Sequence, residues 1–179
     1  MQVKKTIVSA VCCFALCCLP ALAQKKHEKG AAKGAAMTDQ EFVDFAAQTD
    51  MLEAHVGQLA GDQAAQQGVK DYAQMLVKDH TKDYDQLSLV AGKASLKVPK
   101  GLDAAHDKMI APFEKLKGAA FDHRYAQEMV GGHTKAIGIY KKEAADAQNA
   151  DVKAYASQTL PALENHLQGA KDLAKPHKK

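Results

Sequence analysis

The chain has 179 residues with a formal net charge of +3, close enough to balance that nothing in it asks for nucleic acid. It has no tryptophan, few aromatic residues and much Ala, Gln, Lys, Asp and Leu, the composition of a helical bundle. All four cysteines, Cys12, Cys13, Cys17 and Cys18, fall in the first 23 residues, so the rest of the chain has neither a disulfide nor a thiolate ligand.

Residues 1–23, MQVKKTIVSAVCCFALCCLPALA, run from Lys4 and Lys5 through an apolar stretch to Ala21-Leu22-Ala23. This three-part pattern predicts a cleavable secretory signal, cut after Ala23, and hence a periplasmic or secreted protein. Removing it leaves 156 residues and takes away two lysines and no acids, so the formal charge falls to +1. No later run is apolar enough to span a membrane, which leaves only peripheral association with the envelope. Residues 24–37, QKKHEKGAAKGAAM, lack periodicity and read as a flexible basic tether.

The folded domain is expected over residues 38–175, with a short basic tail, 176–179, after it. Thr38 and Glu41 stand at capping-box spacing and predict a helix start. Phe42, Ala46, Thr49, Glu53, Val56 and Ala60 then share one helical face. Gly61 and Gly68 bracket a break, beyond which Val69, Tyr72, Leu76, His80, Leu87 and Ala91 repeat the stripe. The short connection makes these helices an antiparallel hairpin.

The stretch from Gly92 to Gly118 exceeds what a tight turn needs, and holds a short helical segment around His106 to Leu116. It is long enough to travel the length of a bundle. A third long helix follows from Ala119 to Ala147, with Phe121, Tyr125, Met129, His133, Ala136 and Tyr140 on one face. Asp151 is the expected cap of a fourth, which lasts to Ala174 and carries Leu160, Leu163, His166, Leu167 and Ala170 in its stripe. Pro161 leaves the Ser157 carbonyl without its helical donor, so a bend is expected about one turn before His166. The fold expected from these elements is all-α: a four-helix bundle of two hairpins joined by a long crossover.

Each long helix thus puts one potential metal ligand on its apolar face: Glu53, His80, His133 and His166. At about 1.5 Å per residue they lie roughly 18, 20, 21 and 24 Å from their hairpin turns, near the middle of helices about 40 Å long. All four meet at one depth whichever way the hairpins face each other. Three imidazoles and a carboxylate form a first shell for a single zinc, copper or iron ion. Asp79, Asp83, Asp122, Tyr125 and Tyr140 stand near enough in sequence to fix the histidine tautomers. Met129, one turn before His133, would suit Cu(I) better than zinc, although a methionine at helical spacing is far more often core filler. The plainer alternative is that Glu53 and the histidines satisfy only one another. His27, His106, His123 and His177 are expected in solvent; His55 flanks the inner face.

The segments FVDFAAQTDMLEAHVGQLA, VKDYAQMLVKDHTKDYDQL, VPKGLD, GAAFDHRYAQEMVGGHTKAIGIY and VKAYASQTLPALENHLQGAK, in this order, resemble the exported bacterial family called domain of unknown function 4142. The resemblance spans residues 38–174. Its most specific parts are Asp79-His80, Phe121-Asp122 through Tyr125 to His133, and Leu160-Pro161 through His166. Members are often labelled predicted outer membrane proteins and are grouped with ferritin-like four-helix bundles, which implies that fold here and no particular activity. Di-iron chemistry does not carry over, because ferritin-like sites use Glu-x-x-His. Here Glu128 precedes His133 by five and Glu164 precedes His166 by two.

Three readings follow. One is a bundle holding one metal ion for buffering or envelope stress tolerance, with no organic cofactor. The second is a metal-free structural or interaction module, its protein partner unspecified. The third is a Lewis-acid enzyme. It is the weakest, since the chain has no nucleophile motif or Gly-rich phosphate loop, and four protein ligands would close the coordination sphere.

Overall fold

A computed structural model describes residues 37–175, and these form five helices and no strand. Helix α1 spans Asp39–Gln63, α2 Gln67–Lys93, α3 Ala104–Lys115, α4 Ala119–Asp146 and α5 Ala150–Ala174. The expected signal, most of the tether and the tail lie outside the described residues. The four long helices and the short one in the crossover match the all-α expectation.

The boundaries follow local chemistry. The capping box opens α1: Thr38 Oγ1 accepts from the Glu41 amide at 3.2 Å, and the Thr38 amide donates to Glu41 Oε2 at 2.8 Å. Gly61 does not end this helix, which continues to Gln63. Gly118 precedes α4 with a φ of +63°, a conformation glycine takes without Cβ strain, and its amide donates to the Gln63 carbonyl at 2.7 Å. Asp151 is not the cap of α5. Asn149 is, its side chain accepting from the Asp151 and Val152 amides at 2.9 and 3.2 Å, while Asp151 sits in the first turn. Helix α5 runs through Pro161 to Ala174.

Two buried or half-buried carboxylates fix the mutual direction of the hairpins. Asp39, at the start of α1, accepts from the Gln148 and Asn149 amides of the α4–α5 turn at 3.0 and 2.8 Å. Asp122, at the start of α4, accepts from the Ala65 and Gln66 amides of the α1–α2 turn, both at 3.0 Å. Each hairpin's turn is therefore held by the first helix of the other hairpin. Helix α1 must run antiparallel to α4, and the crossover must carry the chain from one end of the bundle to the other. Helix α1 packs on α2, α4 on α5, and α2 on α5, whereas the backbones of α1 and α4 stay farther apart and meet through side chains such as Phe42 and Tyr140, and α3 lies against α1.

The apolar core is in two pieces. One gathers Phe42, Ala46, Leu87, Tyr140, Tyr155 and Leu163 near the α4–α5 turn. The other gathers Val56, Leu76, Phe113, Phe121, Tyr125 and Ala170 near the α1–α2 turn. Close approach is bought by glycine at two helix crossings, where a Cβ on Gly57 would sit 2.7 Å from Val77 and one on Gly169 2.7 Å from the Tyr72 ring. Between the two pieces every long helix contributes a buried polar or ionisable residue.

Candidate metal centre

Glu53 from α1, His80 from α2, His133 from α4 and His166 from α5 are all buried, none more than 4% exposed. Heptad-like spacing on four helices of similar length delivers them to one level, as the depth estimate required. One ring nitrogen from each of His80, His133 and His166 lies within 4.8 Å of the others. The ring centroids are 5.3 to 5.8 Å apart. Glu53 Oε2 lies 3.0 Å from His80 Nε2 and 3.4 Å from His133 Nε2, so the carboxylate joins two of the three rings.

Each imidazole is held through its other nitrogen. His80 Nδ1 pairs with Asp50 Oδ1 at 2.8 Å. His133 Nδ1 donates to the Met129 carbonyl at 2.9 Å, which leaves Nε2 as a lone-pair donor. His166 Nε2 pairs with Asp79 Oδ2 at 3.0 Å. The remaining nitrogens, His80 Nε2, His133 Nε2 and His166 Nδ1, are buried and have no hydrogen bond, and the same holds for Glu53 Oε2. The short Glu53–His80 approach is thus an ion-pair contact whose angles do not make a hydrogen bond. One fixed nitrogen and one free nitrogen per ring is how metal-binding histidines are oriented.

The electrostatics are those of a crowded polar layer. Burial drives the Asp50 carboxyl up to about 6, against the pull of His80. Burial also opposes a charge on His80, but Glu53 and Asp50 on either side outweigh it and hold this imidazole well above its ordinary value. Burial likewise penalises the Glu53 carboxylate, and the combined charge of His80 and His133 still brings it below its ordinary value. For His166 burial wins over the Asp79 hydrogen bond and the ring is pushed down. Without a metal, the carboxyl groups of Asp50 and Glu53 on either side of His80 favour its charged form.

Of the expected supporting residues only Asp79 reaches a histidine by hydrogen bond. Asp122 binds the α1–α2 turn instead. The Tyr125 hydroxyl is buried without a partner, Tyr140 packs edge-on against Phe42, and Asp83 acts on His80 only through its charge. Asp50, the partner of His80, is a residue that sequence reasoning missed. Its signal is its place one turn before Glu53, on the same side of α1. The Met129 carbonyl serves His133, a role its side chain does not announce. His55 and His123 are exposed, while His106 is half-buried and pairs with Asp103 at 2.8 Å.

Among the described residues no helix is long and apolar enough to cross a membrane. The helical bundle with a polar layer at its middle defines the class. The family described as Domain of unknown function (DUF4142) matches residues 24–173, and the chain belongs to it. No curated protein matches the chain in sequence. Among solved structures, "CopM in the Cu(II)-bound form" has the same fold, with a TM-score of 0.65, 14% identity, and coverage of 78% of this chain and 97% of that one.

Proposed function

We propose that this protein binds a single transition-metal ion at mid-bundle through His80, His133 and His166, with Glu53 as the fourth donor, and that it buffers or sequesters that metal in the cell envelope. The observation that carries the reading is that four buried atoms, one on each of these residues, have no hydrogen bond, while a ring nitrogen of each histidine lies within 4.8 Å of the others and Glu53 Oε2 lies 3.0 and 3.4 Å from two of the rings. An unpaired buried polar atom costs about 1–3 kcal/mol, so four at one level are a standing penalty that a cation relieves. Tetrahedral ligands about 2.05 Å from zinc would stand roughly 3.3 Å apart, so ring nitrogens now within 4.8 Å of one another would need to approach by at most about 1.5 Å. The carboxylate supplies one negative charge against the ion, and zinc, copper and iron all suit imidazole with a carboxylate. The solved structure of the same fold is named as a Cu(II)-bound form, which supports a metal-binding use of this architecture. The apolar run before Ala23 supports export to the periplasm or beyond.

The competing reading is a metal-free structural module. It draws on the Asp50–His80–Glu53 string, in which one imidazolium satisfies two carboxylates without a metal. Metal analysis separates the two. Protein purified without an affinity tag and equilibrated with zinc or copper is expected to retain one ion per chain, and the His80→Ala/His166→Ala double variant none. Free metal at about 100 times its Kd should also add roughly 2.7 kcal/mol to the stability of the native chain alone. Equal metal content in both proteins would refute the site.

A further inference from the structure

Part of the space between α1 and α4 is not filled by packing. It forms a cleft of about 200 Å³, bordered by α3, whose lining passes from Met109 and His106 on α3 to Met129 and Glu53 at its inner side. Met109 is 41% exposed, Met129 3% and Glu53 4%, so the lining leads from solvent to the edge of the histidine layer. Lys135 of α4 stands 5.5 Å from the centre of the Phe45 ring of α1 and spans the cleft at one side.

Two consecutive glycines keep this space. Gly131 and Gly132 line the cleft in the middle of α4, where each is about 1 kcal/mol less favourable than alanine. Unlike Gly57 and Gly169, they are not needed for a close helix crossing. A Cβ on Gly131 would meet nothing within 4 Å, and one on Gly132 only Glu53 Oε1, at 3.4 Å. With no side chains there, buried Glu53 borders the inner side of the cleft. A second hollow reaches the layer between α1 and α2, but there it meets Asp50 and His80, which are already hydrogen-bonded to each other. The cleft is the approach on which a cluster donor faces an open space.

We infer that this cleft is a transit site for monovalent copper, in which Met109, Met129 and His106 receive the ion and pass it, beside Glu53, to the three histidines. The inference rests on the metal reading of that centre. Thioethers select Cu(I) over harder cations, while imidazole accepts copper and zinc alike. A route carrying two methionines therefore sorts metals before they reach a site that does not. The transfer is a ligand exchange, with copper monovalent throughout and no electron moved.

The test is the rate of capture of Cu(I) from its bicinchoninate complex under anaerobic conditions, and of Zn(II) from a zinc-responsive dye. The proteins compared are the native chain, Met109→Leu/Met129→Leu, Gly131→Leu and His80→Ala/His166→Ala. Leucine replaces methionine at nearly constant volume, so the fold is kept. The methionine variant is expected to take up Cu(I) roughly tenfold more slowly with zinc unchanged, and the Gly131→Leu variant to slow both ions. Both should still fill to one ion per chain. Native Cu(I) rates in Gly131→Leu would overturn the route, and equal slowing of both ions by the methionine variant would overturn the thioether role. Capture that survives the double histidine substitution would instead refute the metal centre itself, and the transit site with it.

Discussion

The two halves of the core and the layer between them differ in the groups they bury and in how those groups are arranged. In the halves, ring meets ring: Phe42 packs edge-on against Tyr140 at 4.9 Å, and Phe121 stacks on Tyr125 at 5.7 Å. At the outer ends, Asp39 and Asp122 each take two turn amides that would otherwise go unpaired. Unpartnered atoms also occur in the halves, at the Tyr125 and Tyr155 hydroxyls and on Glu143, whereas in the layer Glu53 and three histidines gather four of them from four helices. Aromatic packing and held turns are what a bundle needs to fold, and four unpartnered atoms drawn together from four helices are not. The difference teaches which part of the molecule is scaffold and which part is site.

If the halves are the scaffold, alkali should break the fold through them. Burial pushes the hydroxyls of Tyr72, Tyr125, Tyr140 and Tyr155 above their ordinary range, Tyr72 and Tyr125 in one half and Tyr140 and Tyr155 in the other. Because the folded-state value is raised, the native protein keeps protons that the unfolded chain releases above about pH 10. Stability is complete below that pH and falls by about 1.4 kcal/mol per tyrosine for each pH unit above it, or roughly 5–6 kcal/mol at pH 11. Tyrosinate absorbance from these four should therefore rise together with loss of helical circular dichroism. Gradual ionisation of a still helical protein would show that the halves are open to water and would blur the contrast with the layer.

A smaller effect tests the ends. Asp122 is 3% exposed, and Asp122→Ala removes the acceptor of the Ala65 and Gln66 amides. The expected cost is about 3 kcal/mol, read as a lower urea midpoint at unchanged slope. Metal content per folded molecule should stay native, because the residue lies at the end of the bundle. A native midpoint would mean that the hairpins are oriented by something other than these clamps, and a loss of metal would put Asp122 back beside the histidines.

The contrast was only half legible in the chain. Periodicity of 3.6 residues located the four long helices and put Glu53, His80, His133 and His166 on their inner faces. Rise per residue then placed the four at one depth without any topology, since each is measured from its own turn. The direction of one hairpin relative to the other was not legible, because it is decided by carboxylates meeting amides 56 to 110 residues away. Asp122 was assigned to the histidines by nearness in sequence, yet it precedes His133 by eleven residues, about 16 Å along a helix. Asp50 went unread because its place, three residues before Glu53, falls beside the stripe on which the apolar residues were counted. The cleft was invisible for a related reason: Gly131 and Gly132 mark it by what they lack.

The finest test of scaffold chemistry concerns the turn that Asp39 holds. Either Asn149 or Asp151 can be imagined as the cap of α5, and sequence preference at such positions ranks the two residue types equally. The structure chooses Asn149, whose side-chain oxygen takes the first two free amides of the helix. Asp151 keeps only a favourable charge in the first turn. Asn149→Ala is therefore expected to cost about 1 kcal/mol and Asp151→Ala about 0.5, both read from urea midpoints. Neither should alter metal uptake, since the turn lies a full half of the core away from the layer. A reversed order of the two costs would return the cap to Asp151 and shift the start of α5 by two residues. That shift would turn every inward residue of the helix, His166 among them, by about 200° relative to the turn that positions it, and the layer could not then form as it does.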